Sequence, residues 1–174
     1  MHYGNIKPVD IANGEGVRVT LFVSGCRHHC KNCFNPETWN FNYGNPFTED
    51  TQDYLLNLLS SPFIKGLTLL GGEPMEPENQ KDLLPFVKRV KEKFGNTKNI
   101  WCWTGFVYDK DLISGGRAHT PYTDELLSYI DVLVDGPFIE SLKNLMLKFR
   151  GSSNQRVIDM KKTIQQNKIV LYLE

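Results

Sequence analysis

Apolar and polar residues alternate in several short segments, a pattern that predicts β-strands. Residues 17–23 (VRVTLFV) alternate in this way and are rich in β-branched and aromatic side chains, as strands are. Similar segments occur at residues 66–70, 99–104, 131–134 and 168–173. We predict a strand at each of these places.

Other segments carry apolar residues at helical spacing. Residues 48–59 begin with a threonine that can cap a helix, followed by two acidic residues in the first turn and leucines on one face. Residues 77–94 repeat the same spacing and are followed by Gly95, a common helix stop. Residues 121–130 begin with proline at a good first-turn position. Each of these segments predicts a helix.

The predicted elements follow one another as strand then helix, which is typical of parallel strands joined by right-handed crossovers. A closed eightfold β/α barrel needs roughly 250 residues, whereas this chain has 174. We therefore predict an α/β fold, a truncated open (β/α) barrel in a single domain over residues 1–174. A site at the C-terminal ends of its strands would be open to a large partner.

Charge excludes some classes of partner. The 20 basic residues balance 20 acidic ones, so no large net field favours nucleic acid or an anionic membrane. The N-terminal residues lack the charged start and apolar core of a signal peptide, and no run is long enough to span a bilayer. We expect a soluble, cytoplasmic protein.

Three of the four cysteines lie within residues 26–33 (CRHHCKNC), directly after the first predicted strand. This C-x3-C-x2-C spacing suits a metal or cluster loop in a reducing compartment better than a disulfide framework. Three thiolates can hold three irons of a [4Fe–4S] cluster and leave the fourth iron open for chemistry. Cys102 stands between two tryptophans and is expected in the core.

Structural zinc is the alternative to a cluster. A Cys3His site would need one histidine beside the three cysteines, and the candidates are His2, His28, His29 and His119. The chain would then be a zinc-stabilised binding module without catalysis. The residues alone do not decide between an iron–sulfur cluster and zinc.

Two motifs together resemble the radical S-adenosylmethionine (radical SAM) superfamily: the cysteine motif after the first strand and Gly-Gly-Glu-Pro at residues 71–74 after the second. Gly-x-Gly-x-Arg at residues 14–18 resembles the activating proteins of glycyl-radical enzymes. Within that group, the chain is most similar to the activators of anaerobic ribonucleoside-triphosphate reductase. That likeness lies in residues 8–11, 22–26, 101–106, 132–136 and 149–156.

The resemblance implies a mechanism. A [4Fe–4S] cluster reductively cleaves S-adenosylmethionine, and the resulting 5′-deoxyadenosyl radical takes a hydrogen from a glycine Cα of the reductase large subunit. A low-potential donor such as flavodoxin supplies the electron. The cluster ligands, which are also the catalytic residues, are Cys26, Cys30 and Cys33.

The resemblance also implies residues that contact S-adenosylmethionine. They are Asn32, Cys33, Phe34, Gly71, Gly72 and Glu73. Glu73 is expected to accept a hydrogen bond from the ammonium group, and the two glycines to let the backbone approach the methionine moiety. Asn32 stands where the superfamily often has an aromatic residue, so Phe34 is the candidate for packing on adenine.

Several roles stay open at this stage. The partner could be another glycyl-radical enzyme, of the pyruvate formate-lyase type. Arg18 could bind a carboxylate or form a structural ion pair, and Asp135 could face the site or cap a turn. Residues 150–156 are interpreted as a surface loop that touches S-adenosylmethionine or the reductase. The aromatic residues Trp101, Trp103 and Phe106 are expected in the core.

Overall fold

The computed structural model describes residues 1–174, which form one eight-stranded sheet and four α-helices. The strands are β1 (His2–Asp10), β2 (Arg18–Val23), β3 (Asn45–Pro46), β4 (Gly66–Gly71), β5 (Asn99–Trp103), β6 (Val132–Asp135), β7 (Arg156–Asp159) and β8 (Leu171–Leu173). The helices are α1 (Glu49–Leu59), α2 (Pro77–Phe94), α3 (Thr123–Tyr129) and α4 (Met160–Gln166).

The sheet has the order β3-β1-β2-β4-β5-β6-β7-β8. Its centre, β2-β4-β5-β6, is parallel, whereas β1 and β3 on one flank and β7 and β8 on the other run antiparallel to their neighbours. The predicted α/β class and the open sheet are confirmed. The truncated barrel itself stays a prediction, since the repeated β/α pattern is limited to the four central strands.

The two faces of the sheet carry different side chains, because successive residues of a strand point to opposite sides. One face packs against the helices in a core that contains Leu21, Leu69, Phe86 and Cys102, all fully buried. The expectation that Cys102 belongs to the core is thus confirmed. No helix is both long and apolar enough to cross a membrane.

The opposite face of the sheet holds Arg18 and Trp101. The Arg18 side chain is fully buried, and its guanidinium donates to Thr68 Oγ1 at 2.8 Å and to the Leu67 carbonyl at 2.9 Å. Burial lowers its pKa to about 10. Arg18 begins β2, whereas the cysteines follow the C-terminal end of the same strand. Because Arg18 is buried and hydrogen-bonded away from the cysteines, we assign it a structural role. Trp101 is buried as expected, 5.6 Å from the guanidinium.

Asp135 ends β6 and is also buried. Its carboxylate accepts hydrogen bonds from Arg156 Nε at 3.0 Å and from the Tyr108 backbone N–H at 2.8 Å. Asp135 therefore joins three segments rather than capping a turn. Arg156 opens β7, so the predicted surface loop ends one residue earlier than expected.

Candidate functional site

A cavity of about 770 Å³ lies at the C-terminal ends of the parallel strands. It brings together most of the predicted site residues, namely Cys26, Cys30, Cys33, Phe34, Gly71, Gly72 and Glu73. Asn32 does not line it, since its side-chain amide is turned to the Glu140 carboxylate. The residues expected to act together therefore share one site, with Asn32 at its edge.

The three cysteines of the loop are all free thiols. Cys26 is buried, and Cys30 and Cys33 are half-buried. Burial raises the pKa of Cys26 to about 12 and also raises that of Cys30, so these thiols hold their protons until a metal displaces them. The side chains are not already gathered as a metal-binding group. Three unpaired thiols on one cavity fit a cluster that takes three protein ligands.

The backbone of the cysteine loop turns tightly. His29 and Asn32 adopt left-handed conformations, with φ of 50° and 59°, and the Cys33 N–H donates to the Cys30 carbonyl at 3.2 Å. Asparagine tolerates this conformation better than most residues do. The left-handed turn gives a physical reason for asparagine at position 32, where the wider superfamily often has an aromatic residue.

The cysteine loop is also fastened to the start of α2. The Arg27 N–H donates to Glu76 Oε2 at 3.0 Å, and its guanidinium reaches the Glu78 carboxylate. The same guanidinium lies 4.5 Å from the centre of the Phe41 ring. These contacts fix the first half of the loop.

Three of the four histidines considered as zinc ligands have other partners. His28 Nε2 lies 2.8 Å from Glu73 Oε1, His29 stacks on Trp39 with ring centres 4.3 Å apart, and His119 Nε2 lies 3.1 Å from Asp124. His28 alone among the histidines lines the cavity. Burial lowers the pKa of His28, but the hydrogen bond to Glu73 and the charges of Glu73 and Glu76 together outweigh burial and raise it.

Glu73 is the best-connected polar residue of the site. Oε1 accepts from the Gly105 N–H at 2.6 Å and faces His28, while Oε2 accepts from the Met75 N–H and from Thr104 Oγ1, both at 2.8 Å. The side chain is 1% exposed. Four partners fill the acceptor positions of a carboxylate. The contact of Glu73 with the ammonium group of S-adenosylmethionine stays a prediction. In the structure, Glu73 has a second task, because its hydrogen bonds connect neighbouring loops.

The glycines before Glu73 permit a close approach between loops. A Cβ on Gly72 would lie 2.8 Å from the Gly25 carbonyl oxygen and 2.9 Å from that of Thr38. Gly71 has φ of 111°, and a Cβ there would lie 2.5 Å from the Val23 nitrogen. Close contacts with the cysteine segment and with β2 therefore leave no room for a side chain at Gly71 or Gly72. This packing is a second reason for glycine at both positions, besides the expected approach to methionine.

Most of one wall of the cavity comes from a segment for which we predicted no role. The segment between β6 and β7, residues 138–150, is here called the strap. It lines the cavity with Phe138, Lys143, Asn144, Leu145, Leu147, Phe149 and Arg150. Gly151 and Gln155 also line the cavity, which places part of the predicted 150–156 loop at the site. The apolar residues of the strap recur at helical spacing (Ile139, Leu142, Leu145, Met146 and Phe149), which is a signal for an amphipathic helix, yet the segment forms only a short 3-10 turn at Glu140–Leu142.

The aromatic residues near the site divide between core and cavity. Phe106 is buried and packs edge-on against His28, with ring centres 4.5 Å apart. Trp103 is only half-buried and lines the cavity, and its Nε1 donates to the Phe149 carbonyl at 2.8 Å. The core expectation is confirmed for Phe106, whereas Trp103 ties the strap to β5.

Comparison with known proteins agrees with this site. Residues 12–158 match the family described as a 4Fe-4S single cluster domain, which places the chain among single-cluster iron–sulfur proteins. It is 43% identical over 159 residues to the anaerobic ribonucleoside-triphosphate reductase-activating protein of Escherichia coli K12, covering 90% of this chain and 97% of that protein. The chain belongs to the family of anaerobic ribonucleoside-triphosphate reductase-activating proteins.

Other organisms carry relatives with the same name. The protein of Haemophilus influenzae is 46% identical over 157 residues, covering 89% of this chain and 96% of the relative. That of bacteriophage T4 is 42% identical over 159 residues, covering 90% and 93%. The similarity therefore extends over nearly the full length of both proteins in each pair.

Proposed function

We propose that this protein is a radical SAM enzyme that activates an anaerobic ribonucleoside-triphosphate reductase by forming a glycyl radical on its large subunit. The observation that carries the proposal is the single cavity that contains three free cysteines and the Gly-Gly-Glu segment. When bound, a reduced [4Fe–4S] cluster supplies the electron that breaks the S–C5′ bond of S-adenosylmethionine, which leaves methionine and a 5′-deoxyadenosyl radical that takes a hydrogen atom from the glycine Cα.

The side chains of the chain have distinct tasks in this proposal. Cys26, Cys30 and Cys33 would hold three irons of the cluster, and the iron without a protein ligand would be free to bind S-adenosylmethionine. Phe34, which is 85% exposed at the cavity, is assigned to the nucleoside together with the Asn32–Cys33 backbone.

Glu73 and the two glycines are assigned to the methionine moiety. For Glu73 to accept a hydrogen bond from the ammonium group, one of its four present partners has to give way. Of the two partners that contact Glu73 through side chains, Thr104 is buried and His28 is partly exposed, so the imidazole of His28 is the group that can turn aside. Gly71 and Gly72 present backbone alone at this wall of the cavity.

The proposal also assigns partners. The names of the relatives refer to an anaerobic ribonucleoside-triphosphate reductase, and the site opens at the edge of a sheet that is not closed. A protein substrate can therefore reach it. We assign one-electron reduction to a low-potential donor such as flavodoxin, and the reaction to the cytoplasm.

An anaerobic reconstitution tests the function. The protein is loaded with iron and sulfide, reduced and mixed with S-adenosylmethionine, and 5′-deoxyadenosine and the electron paramagnetic resonance spectrum are measured. We expect nucleoside formation that is lost in Cys30→Ala and kept in Cys102→Ala, since Cys102 is buried in the core. Tight zinc without iron would refute the proposal in favour of a binding module.

The identity of the substrate needs a second measurement. The reconstituted protein is mixed in turn with anaerobic ribonucleoside-triphosphate reductase and with pyruvate formate-lyase, and the glycyl radical is quantified on each. We expect the radical on the reductase. A radical on pyruvate formate-lyase alone would replace the assigned partner while leaving the radical chemistry in place.

A further inference from the structure

The strap exposes large apolar side chains beside the candidate site. Leu145 and Met146 are 87% and 89% exposed, and Phe34 across the cavity is 85% exposed. They are the most exposed large apolar side chains of the protein. Adjacent exposed apolar residues rimmed by charge mark interaction surfaces more often than single ones do. We propose that the strap is the docking surface for the reductase, and that it receives an extended loop bearing apolar and acidic side chains.

The position of the strap supports this role. Its Glu140 carboxylate accepts a hydrogen bond from Asn32, and the Phe138 ring lies 6.3 Å from the ring of Phe34. Leu145 and the three cysteines line the same cavity. A chain bound along the strap therefore passes over the cysteines. The inference rests on the proposed function, because that function requires a glycine Cα to reach this cavity.

The charge of the strap indicates the chemistry of the bound loop. Lys143 and Lys148 flank the exposed apolar pair, and neither is paired with a carboxylate of this chain. Arg150 adds a third cation at the cavity wall. Glu140, the one acidic residue of the strap, is occupied by Asn32. The surface is therefore apolar at its centre and basic at its ends, and it complements a loop with carboxylates on either side of apolar residues.

A second copy of this chain fits the surface less well. Twofold pairing brings the same patch of each copy against itself, so the lysines of one strap would face those of the other. Like charges placed opposite each other oppose association. A different protein can instead supply the missing carboxylates, and the family to which the chain belongs is named for a protein partner.

The test separates docking from chemistry. Met146 and Lys148 do not line the cavity, so Met146→Glu and Lys148→Glu, singly and together, change the strap outside the candidate site. Phe63→Glu and Lys162→Glu are the matched controls, because Phe63 is 62% exposed and Lys162 is exposed on α4, both outside the cavity lining. The dissociation constant for the reductase large subunit is measured anaerobically by calorimetry with the reconstituted protein.

We expect the double strap variant to bind the reductase at least tenfold more weakly, and the double control variant to bind within twofold of the unchanged protein. Formation of 5′-deoxyadenosine without the reductase should stay within twofold in both, and the glycyl-radical yield at limiting reductase should fall only in the strap variant. Raising the salt concentration should narrow the difference caused by Lys148→Glu.

Two results would overturn the inference. If the strap and control variants bound the reductase with equal affinity, the strap would not be part of the docking surface. A wild-type dimer in sedimentation that the strap variant breaks, with reductase affinity unchanged, would assign the surface to a second copy. Failure of the proposed function is distinguishable, because the unchanged protein would then form no 5′-deoxyadenosine while the affinity comparison still decides the role of the strap.

Discussion

Replacing Glu73 with glutamine should destabilise the protein even without a cluster, because the carboxylate connects three loops inside the structure. In Glu73→Gln, one acceptor oxygen becomes an NH2 group. His28 and Thr104 can turn to accept from it, but the backbone N–H of Gly105 or Met75 cannot. An unpaired buried N–H costs about 1–3 kcal/mol, and the remaining hydrogen bonds lose the assistance of a charge.

The relief of a buried charge offsets part of that loss. We therefore expect the free energy of unfolding to fall by about 2–4 kcal/mol. Urea denaturation of the iron-free, thiol-reduced protein, followed by circular dichroism, should show the midpoint lowered by about 1–2 M.

A neighbouring glutamate provides the control. Glu78 is half exposed and pairs with Arg27 on the surface, so Glu78→Gln should change the free energy of unfolding by less than about 1 kcal/mol. If Glu73 served only to bind the ammonium group of S-adenosylmethionine, the iron-free protein would not depend on it. Equal denaturation midpoints for Glu73→Gln and Glu78→Gln would therefore refute the structural role.

Two further predictions concern the loop packing and acid stability. Gly72→Ala places a Cβ within 2.9 Å of two backbone oxygens, so we expect the free energy of unfolding to fall by about 1–3 kcal/mol, measured by the same denaturation; an unchanged midpoint would show that the cysteine loop can shift freely. Burial works to raise the pKa of Asp111, but hydrogen bonds from the Val107 N–H and Arg117 outweigh it and lower the pKa below its ordinary 3.8. The contribution of the Asp111 carboxylate to the free energy of unfolding is therefore complete above about pH 4, and it is lost as the pH falls through the lower pKa of the folded protein. We expect Asp111→Asn to lose less stability than the unchanged protein does between about pH 4 and 2, measured by urea denaturation.

The parts of the fold that the sequence predicts are those with local signals. The helix at residues 77–94 was predicted with the bounds that it has, because its periodicity, its first proline and Gly95 all agree. The strand β1 was missed, since its residues HYGNIKPVD do not alternate and most of them stay partly exposed. It is a strand because β2 and β3 pair with it, which is information from distant segments.

The same division holds at the site. The spacing of the three cysteines and the Gly-Gly-Glu-Pro motif were sufficient to predict residues that share one cavity. The partners of Glu73 could not be predicted, because His28 and Gly105 are 45 and 32 residues away along the chain. The position of the strap could not be predicted for a related reason. Its apolar residues recur at helical spacing, but its place at the cavity depends on contacts with distant residues such as Asn32 and Trp103.

The two walls of the cavity are held in different ways, which suits the binding of both a cofactor and a protein that we propose for this site. Glu73 follows β4, His28 belongs to the loop after β2, and Gly105 follows β5, so one buried carboxylate connects the ends of three neighbouring strands. The strap crosses the opposite side and has only a single isolated bridge, between Lys143 and Ser152, as regular pairing. A wall fixed by buried charge-assisted bonds suits the proposed task of holding cluster ligands and S-adenosylmethionine in place. An exposed wall with little regular structure can adjust to a protein surface. The contacts of the strap with the cysteine loop come from Phe138 and Glu140 at its start, so the exposed Leu145 and Met146 can adjust while the Glu73 network stays in place.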